Sequence, residues 1–169
     1  MKTVKTITIK LLLLLMTCSC SGQKKIDNSA FDSFLKTFLS HSVKELTVKE
    51  LVKKSNYILL DARAKEEYQI SHIPNALFIG YDKLAKEVLD SLNKEKQIVV
   101  YCSVGYRSEK VAEALQKDGY KNVSNLYGGI FEWVNEGNTI HDLEENPTNK
   151  IHAFDKKWAI WLEKGEKIY

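Results

Sequence analysis

The 169-residue sequence contains little glycine, proline or cysteine, with 8, 2 and 3 residues of each. With 44% hydrophobic and 28% charged residues, this composition is typical of an ordinary globular protein with one real core. The cysteines, Cys18, Cys20 and Cys102, are too few and too unevenly placed to form a disulfide framework. The length favours one domain, and the cysteines indicate two separate uses of sulfur chemistry.

The sequence has no surplus of positive charge beyond its first ten residues. The formal net charge of +3 equals the contribution of Lys2, Lys5 and Lys10, and no acidic residue precedes Asp27. The remainder has 22 basic and 22 acidic residues. A nucleic-acid-binding protein is expected to keep a basic face, so nucleic acid is not an expected partner.

No apolar run near the N-terminus is long enough to span a bilayer. Residues 11–16 are uninterrupted apolar residues, far fewer than the roughly 20 that a transmembrane helix needs. A basic start, a short apolar stretch and small residues are typical of a secretory signal. We therefore interpret residues 1–20 as a signal peptide.

The end of this segment resembles a lipobox, the processing signal of bacterial lipoproteins. Cys18 has leucine three residues before it, whereas Cys20 has the better small residue, Ser19, directly before it. The resemblance implies lipidation of Cys18 or Cys20, a membrane as partner, and a domain held at the cell envelope, facing the periplasm. The alternative is a soluble secreted protein with two incidental cysteines.

Residues 21–42 are interpreted as a polar tether followed by a helix, because Phe31, Phe34, Leu35, Phe38 and Leu39 recur at helical spacing. From residue 43 to 137, apolar runs alternate with amphipathic stretches. Strands are predicted at residues 57–60, 76–79, 97–101 and 123–126, and helices near 48–52, 66–70, 84–92, 108–117 and 130–134. This order predicts an α/β domain with a largely parallel central sheet and helices on both faces.

Residues 138–169 form a C-terminal extension. Five of its apolar residues fall on one face of a hypothetical helix: Ile151, Phe154, Trp158, Trp161 and Leu162. The spacing predicts a docking helix that closes the core.

The candidate site follows the clearest strand. In a parallel sheet, ligands bind beyond the carboxyl ends of the strands, where the loop after residue 101 must lie. A tight loop entering a helix turns backbone N–H groups toward one point, which favours an anion. Gly105 permits the required turn, and Ser108 is predicted as the N-cap of the next helix.

The loop supplies a nucleophile and a cation. The inward dipoles and Arg107 favour the thiolate of Cys102, which would attack a sulfane sulfur to give a persulfide. Arg107 would also hold an anionic donor such as thiosulfate. Ser103, Val104 and Tyr106 complete the loop without naming a substrate.

The residues from Cys102 to Arg107, in the order Cys-Ser-Val-Gly-Tyr-Arg, resemble the six-residue active-site loop of rhodaneses. The likeness extends to residues 60–63, 66–68 and 71–76, and to residues 125–129 and Trp133. The resemblance implies a rhodanese-like fold and a structural role for Asp61 and Arg63. Ser71 and Asn75 stand where glycine is common in the family, so altered turns are expected there.

The resemblance implies a sulfurtransferase that needs no cofactor. It would move sulfur from a thiosulfate-like donor to a thiol or cyanide-like acceptor through Cys102. The alternative is a non-turnover persulfide carrier or a binding module. Tyrosine phosphatases, a third interpretation, have five residues between Cys and Arg instead of the four found here. His72 has no partner at metal-ligand spacing, and no metal site is predicted.

Overall fold

The computed structural model describes residues 25–169. The predicted signal peptide, with Cys18 and Cys20, lies outside the described residues. Among the residues described, no helix is long and apolar enough to cross a membrane.

The centre of the domain is a five-stranded sheet in which every pair of neighbouring strands is parallel. Its strands are β1 (Lys44–Leu46), β2 (Tyr57–Asp61), β3 (Leu77–Phe78), β4 (Gln97–Tyr101) and β5 (Asn122–Leu126). Their spatial order is β1-β5-β4-β2-β3, which places β4 in the middle. The sheet confirms the predicted fold class.

Within residues 25–169, six α-helices connect or flank these strands. They are α1 (Ser29–Phe38), α2 (Val48–Leu51), α3 (Lys65–Ile70), α4 (Lys86–Asp90), α5 (Tyr106–Lys117) and α6 (Gly129–Asn135). Local sequence explains two of the starts. The Asn28 side chain accepts the Phe31 N–H at 2.9 Å, and Thr47 and Glu50 form a reciprocal capping box.

The sheet separates two apolar cores, as expected for a parallel sheet covered on both faces. Alternate residues of β4 point to opposite sides. Val99 and Tyr101 join a core with α1, α2 and α6, whereas Ile98 and Val100 join a core with α4 and α5. Because both faces are covered, β4 is buried along nearly its whole length.

The predicted docking helix in the C-terminal extension is wrong. The segment instead forms an antiparallel pair, β6 (Ile140–His141) with β7 (Pro147–Thr148), and a parallel pair, β8 (Lys150–His152) with β9 (Glu166–Ile168). Phe154 has a φ of 67°, which a continuous right-handed helix does not allow. Only one turn of 3-10 helix, Trp158–Trp161, is left of the predicted element.

The extension nevertheless closes the core, as the spacing suggested. Ile151 and Leu162 are buried in the same apolar cluster as Phe31 and Leu35 of α1. Trp161 stacks on Phe31 with ring centroids 5.2 Å apart. The segments before and after the sheet are therefore packed against each other.

Candidate active site

Cys102 follows β4 directly and begins a tight loop that ends at the start of α5. Its Sγ accepts a hydrogen bond from the Gly105 N–H at 3.2 Å, and the residue is only 2% exposed. Gly105 has a φ of 117°, a conformation that glycine adopts readily. The turn of the loop therefore points the Gly105 N–H at the Cys102 sulfur.

The prediction that Ser108 caps α5 is wrong, because the helix begins earlier, at Tyr106, with Gly105 as its N-cap. Ser108 is fully buried inside the first turn, and its hydroxyl donates to Asn125 Oδ1 at 2.7 Å. The Asn125 side chain in turn donates to the Gly105 carbonyl at 2.9 Å. Ser108 therefore helps to fix the loop through β5.

The start of α6 supports the loop from behind. The N–H groups of Ile130 and Phe131 donate to the carbonyls of Cys102 and Ser103, at 2.9 and 3.1 Å. Gly129 permits this approach, because a Cβ there would lie 2.3 Å from the Cys102 carbonyl oxygen. Gly129 therefore lies in direct contact with the loop that Cys102 begins.

Arg107 is paired with a carboxylate that the sequence analysis did not single out. Its Nη1 and Nη2 donate to the two Glu67 oxygens at 2.6 and 2.9 Å. The Ser103 hydroxyl accepts from Arg107 and donates to Glu67, each at 3.0 Å. Glu67 belongs to the Glu-Glu-Tyr motif on α3, but only the fold shows that it faces the loop 40 residues away.

The pairing determines the charge states of both groups. Burial raises the pKa of Glu67, but the hydrogen bonds and charge of Arg107 lower it more, leaving the pKa below its ordinary value. Burial lowers the pKa of Arg107, whereas bonding to Glu67 and the charge of Cys102 raise it above its ordinary value. Both groups are charged at neutral pH, so the Glu67 carboxylate offsets much of the positive charge that Arg107 presents to the pocket.

Asp61 and Arg63 form a second ion pair, which is fully buried. Arg63 Nη2 lies 2.6 Å from Asp61 Oδ2, and neither side chain is exposed. The same Nη2 donates to the Ser71 carbonyl at 2.6 Å. The pair thus ties the end of β2 to the turn after α3.

The two positions that depart from the family's glycines are accommodated differently. Asn75 takes a left-handed conformation, with a φ of 63°, which asparagine tolerates better than most residues. Ser71 is extended, with a φ of −170°, which any residue adopts. Neither backbone conformation is strained by the residue present.

An apolar pocket of about 230 Å³ opens over Cys102. The predicted loop residues Ser103, Val104 and Tyr106 line it together with Cys102 and Arg107. Phe38, Phe154 and Trp158, which we call the aromatic wall, complete the lining. The sequence analysis placed Phe38 on a helix after the tether and Phe154 and Trp158 on a docking helix that closes the core, and it assigned none of the three to the site.

The aromatic wall is held by ring contacts. Phe38 lies 5.3 Å from Trp158 and 5.2 Å from Tyr106, measured between ring centroids, and Phe154 meets Trp158 edge-on at 6.4 Å. The Arg107 guanidinium lies over the Phe154 ring at 5.2 Å. Helix α1 and the C-terminal extension therefore meet at the pocket that Cys102 lines.

His72 lies away from this pocket and is buried. Its ring stacks on Tyr68 with centroids 4.3 Å apart, and its Nε2 lies 3.2 Å from Glu145. Its backbone pairs with that of His141. Within residues 25–169, no cluster of three or more His, Cys, Asp or Glu side chains has the geometry to hold a metal ion.

Comparison with known proteins identifies relatives of this arrangement. The family profile of the rhodanese-like domain matches residues 45–136. The thiosulfate sulfurtransferase GlpE of Coxiella burnetii is 38% identical over 91 residues, which cover 54% of this chain and 84% of that protein. A tRNA uridine(34) hydroxylase of Hamiltonella defensa is 33% identical over 115 residues, but these cover only 32% of that enzyme.

A solved structure gives the same result. The crystal structure of a rhodanese-like domain protein from Staphylococcus aureus matches with a TM-score of 0.51 and 32% sequence identity. The match covers 59% of this chain and 97% of that one. Helix α1 and the segment from β6 onward lie outside the residues that the family profile matches.

Proposed function

Because this chain belongs to the rhodanese-like domain family, we propose that it moves sulfane sulfur from a thiosulfate-like donor to a thiophilic acceptor through a persulfide on Cys102. The observation that carries the proposal is the position of Cys102, which lines the pocket and whose Sγ accepts the Gly105 N–H. A donor fixed at that point stabilises negative charge on sulfur, both in the thiolate and in the persulfide.

The proposed first step is a displacement at sulfur. The Cys102 thiolate attacks the outer sulfur of thiosulfate, the new bond joins Sγ to that sulfur, and sulfite leaves with the electrons of the cleaved S–S bond. The second step reverses the roles, as an acceptor nucleophile takes the outer sulfur and Cys102 leaves as thiolate. Neither step needs a cofactor.

The loop supports and Arg107 have positioning roles in this proposal. The N–H groups of Ile130 and Phe131 hold the carbonyls of Cys102 and Ser103, so the sulfur returns to the same place after each transfer. Arg107 and Glu67 keep the loop's second half in place.

The test is the mass of the full chain before and after incubation with thiosulfate, with the modified residue located by peptide mapping. We expect one added sulfur atom on Cys102 and none in that peptide of the Cys102→Ser variant. Sulfur found only on Cys18 or Cys20, or transfer that survives Cys102→Ser, would refute the proposal.

Turnover distinguishes an enzyme from a carrier. Rates of thiocyanate formation from thiosulfate and cyanide should be proportional to enzyme concentration and continue for many turnovers per Cys102. One equivalent of transfer followed by arrest would identify a persulfide carrier.

We also propose that the chain is lipid-anchored at a bacterial envelope, with residues 25–169 outside the cytoplasm. The support is the basic start, the short apolar run and the two cysteines at its end. Metabolic labelling with an alkyne-bearing fatty acid should mark the protein. One of the two substitutions, Cys18→Ala or Cys20→Ala, should abolish the label. Labelling that is absent from the unsubstituted chain would contradict the anchor.

A further inference from the structure

The pocket over Cys102 is more apolar than the proposed reaction with small anions requires. Apart from the Cys102 thiolate of the proposed reaction, Arg107 is the one charged residue among the described residues that line it, and both of its terminal nitrogens donate to Glu67. A small inorganic anion would leave water for a space with little free charge to receive it. Such a pocket favours uncharged, apolar surface on the molecule that enters it.

The size and shape of the pocket support the same conclusion. Its volume of about 230 Å³ far exceeds what one sulfur atom occupies. An apolar cavity of about 150 Å³ is already large enough to bind benzene. The space beyond Cys102 therefore suits the body of an organic molecule whose sulfur reaches the Cys102 sulfur.

The wall that creates this space consists of Phe38, Phe154 and Trp158, none of which belongs to residues 45–136. Phe154 is 47% exposed and has a φ of 67°, unusual for a residue with a large side chain. Its ring contributes little to the core but lies beside the pocket, over Arg107. This placement is more easily understood as a contact surface for a ligand than as packing.

Resting on the proposed function, we propose that the acceptor is an organic thiol with an apolar or aromatic body that packs against the aromatic wall. The acceptor thiol releases its proton to solvent and attacks the outer sulfur of the Cys102 persulfide. A new S–S bond forms in the acceptor, the bond to Sγ breaks, and Cys102 leaves as thiolate. Sulfane sulfur moves without an oxidant or reductant.

The test begins with the full chain loaded with sulfur, by thiosulfate or by inorganic polysulfide, and freed of excess donor. Intact mass establishes the loading before any acceptor is added. Two alkyl thiols then serve as acceptors, the aromatic phenylmethanethiol and the anionic 2-mercaptoethanesulfonate. The quantity measured is the ratio of their second-order rate constants for removing the sulfur, which cancels effects common to both acceptors.

Trp158→Ala removes the largest ring of the wall, and Phe154→Ala removes an exposed ring whose loss leaves the core intact. Ile160→Ala is the matched control, because Ile160 lies in the same 3-10 helix as Trp158, is 66% exposed and is not a lining residue. We expect Trp158→Ala to lower the ratio by about tenfold and Phe154→Ala by a few-fold, as for the loss of apolar contacts in a substrate pocket. The control should keep the ratio of the unsubstituted chain.

The outcomes separate the two proposals. Loading on Cys102 with the same ratio in all four proteins would overturn the organic acceptor and leave the sulfurtransferase proposal standing. Faster transfer to 2-mercaptoethanesulfonate in the unsubstituted chain, unchanged by Phe154→Ala, would have the same meaning. If neither thiosulfate nor inorganic polysulfide added sulfur to Cys102, both proposals would be overturned.

Discussion

The loop from Cys102 to Arg107 and the aromatic wall opposite it enclose one pocket but are held in place by different forces. The loop is fixed by directional hydrogen bonds, from Gly105, Ile130 and Phe131 and between Arg107 and Glu67. The wall is fixed by ring contacts between α1 and the C-terminal extension. Hydrogen bonds fix both the distance and the angle between donor and acceptor. Apolar contacts are less directional, so they tolerate the exchange of one apolar side chain for another of similar size.

This difference suggests that the loop controls the reaction at Cys102, whereas the aromatic wall controls which molecules reach it. In the proposed reaction, the loop returns the sulfur to one position after each transfer, so small displacements there would affect every substrate. The wall would determine only which molecules reach the sulfur. Substitutions in the loop's supports should therefore change stability and all activities together, and substitutions in the wall should change selectivity with little loss of stability.

The largest effect is expected from Gly129→Ala. The added Cβ would meet the Cys102 carbonyl at 2.3 Å, and backbone cannot move aside as a flexible side chain can. Overpacking together with a φ of 56° should lower the free energy of unfolding by about 4 kcal/mol. Urea unfolding monitored by circular dichroism measures it.

Gly119→Ala provides the control for this substitution, because its φ of 90° is also positive but the nearest atom lies 3.9 Å from the added Cβ. It should cost only about 1 kcal/mol, the strain of the backbone conformation alone. Equal losses in the two variants would show that the contact between Gly129 and the loop does not limit stability.

The next effect concerns Glu132 on α6, the helix behind the loop. The side chain is 2% exposed, and burial, followed by the charges of Glu136 and Asp27, raises its pKa to about 7. Because the folded-state pKa lies above the unfolded value, the stabilisation is complete below pH 4.5 and is lost as pH rises through 7. Glu132→Gln should be more stable than the unsubstituted chain at pH 8, by about 3 kcal/mol at most, and nearly equal at pH 4.5.

Urea unfolding at a series of pH values measures this difference. Glu87→Gln, at an exposed position on α4, is the matched control and should show the pH profile of the unsubstituted chain. A Glu132→Gln profile that also stays parallel to the unsubstituted chain would mean that Glu132 is ionised without cost.

A smaller effect is expected from Glu67→Gln, which should lower the free energy of unfolding. Its pH dependence should have the opposite sign to that of Glu132→Gln. Glutamine keeps the shape of Glu67 but leaves the half-buried Arg107 without its counter-charge, which should cost about 2 kcal/mol. The pKa of Glu67 is lowered, so its contribution is present above its unfolded pKa and lost as pH falls. Sulfur transfer to every acceptor should fall together.

The control for Glu67→Gln is Glu113→Gln, which removes the 2.7 Å ion pair with Lys110 on the more exposed side of α5. Its cost should be below about 1 kcal/mol, as for other surface pairs. If Glu67→Gln selectively slowed one acceptor, Glu67 would belong with the residues that control access instead of with the loop's supports.

The smallest effect on stability is expected from Phe154→Ala in the aromatic wall. Its ring is 47% exposed, so its removal should lower the free energy of unfolding by less than about 1 kcal/mol. The rate at which iodoacetamide alkylates Cys102 should nevertheless rise, because the pocket becomes more open. Leu143 is 50% exposed and does not line the pocket. Leu143→Ala should therefore change neither the free energy of unfolding nor the alkylation rate. A large loss of stability on Phe154→Ala would place Phe154 in the core.

Much of the fold and the centre of the site could be predicted from the sequence, because local patterns determine them. The strand at residues 97–101 has the predicted bounds, and the alternation of strands and helices was sufficient for the parallel sheet. Cys102 and Gly105 lie in one short loop, so their proximity needs no knowledge of the fold.

The features that sequence reasoning missed depend on contacts between distant parts of the chain. Ser108 looked like an N-cap because it begins a helical pattern, but Asn125 on a neighbouring strand engages its hydroxyl inside the helix. Glu67 could not be paired with Arg107 before the fold brought α3 beside the loop. The C-terminal aromatic residues have helical spacing, yet pairing of β8 with β9 and the positive φ of Phe154 produce a different backbone.

The central position of β4 in the sheet has a consequence for the dynamics of the site. Amide protons on a strand bonded on both sides, and covered on both faces, exchange with solvent only through large-scale opening. The strand that precedes Cys102 should therefore belong to the slowest-exchanging part of the molecule, whereas the exposed segment at Phe154 should open more readily. Local opening at the mouth of the pocket would then let ligands enter and leave while the Cys102 sulfur keeps its position in the loop.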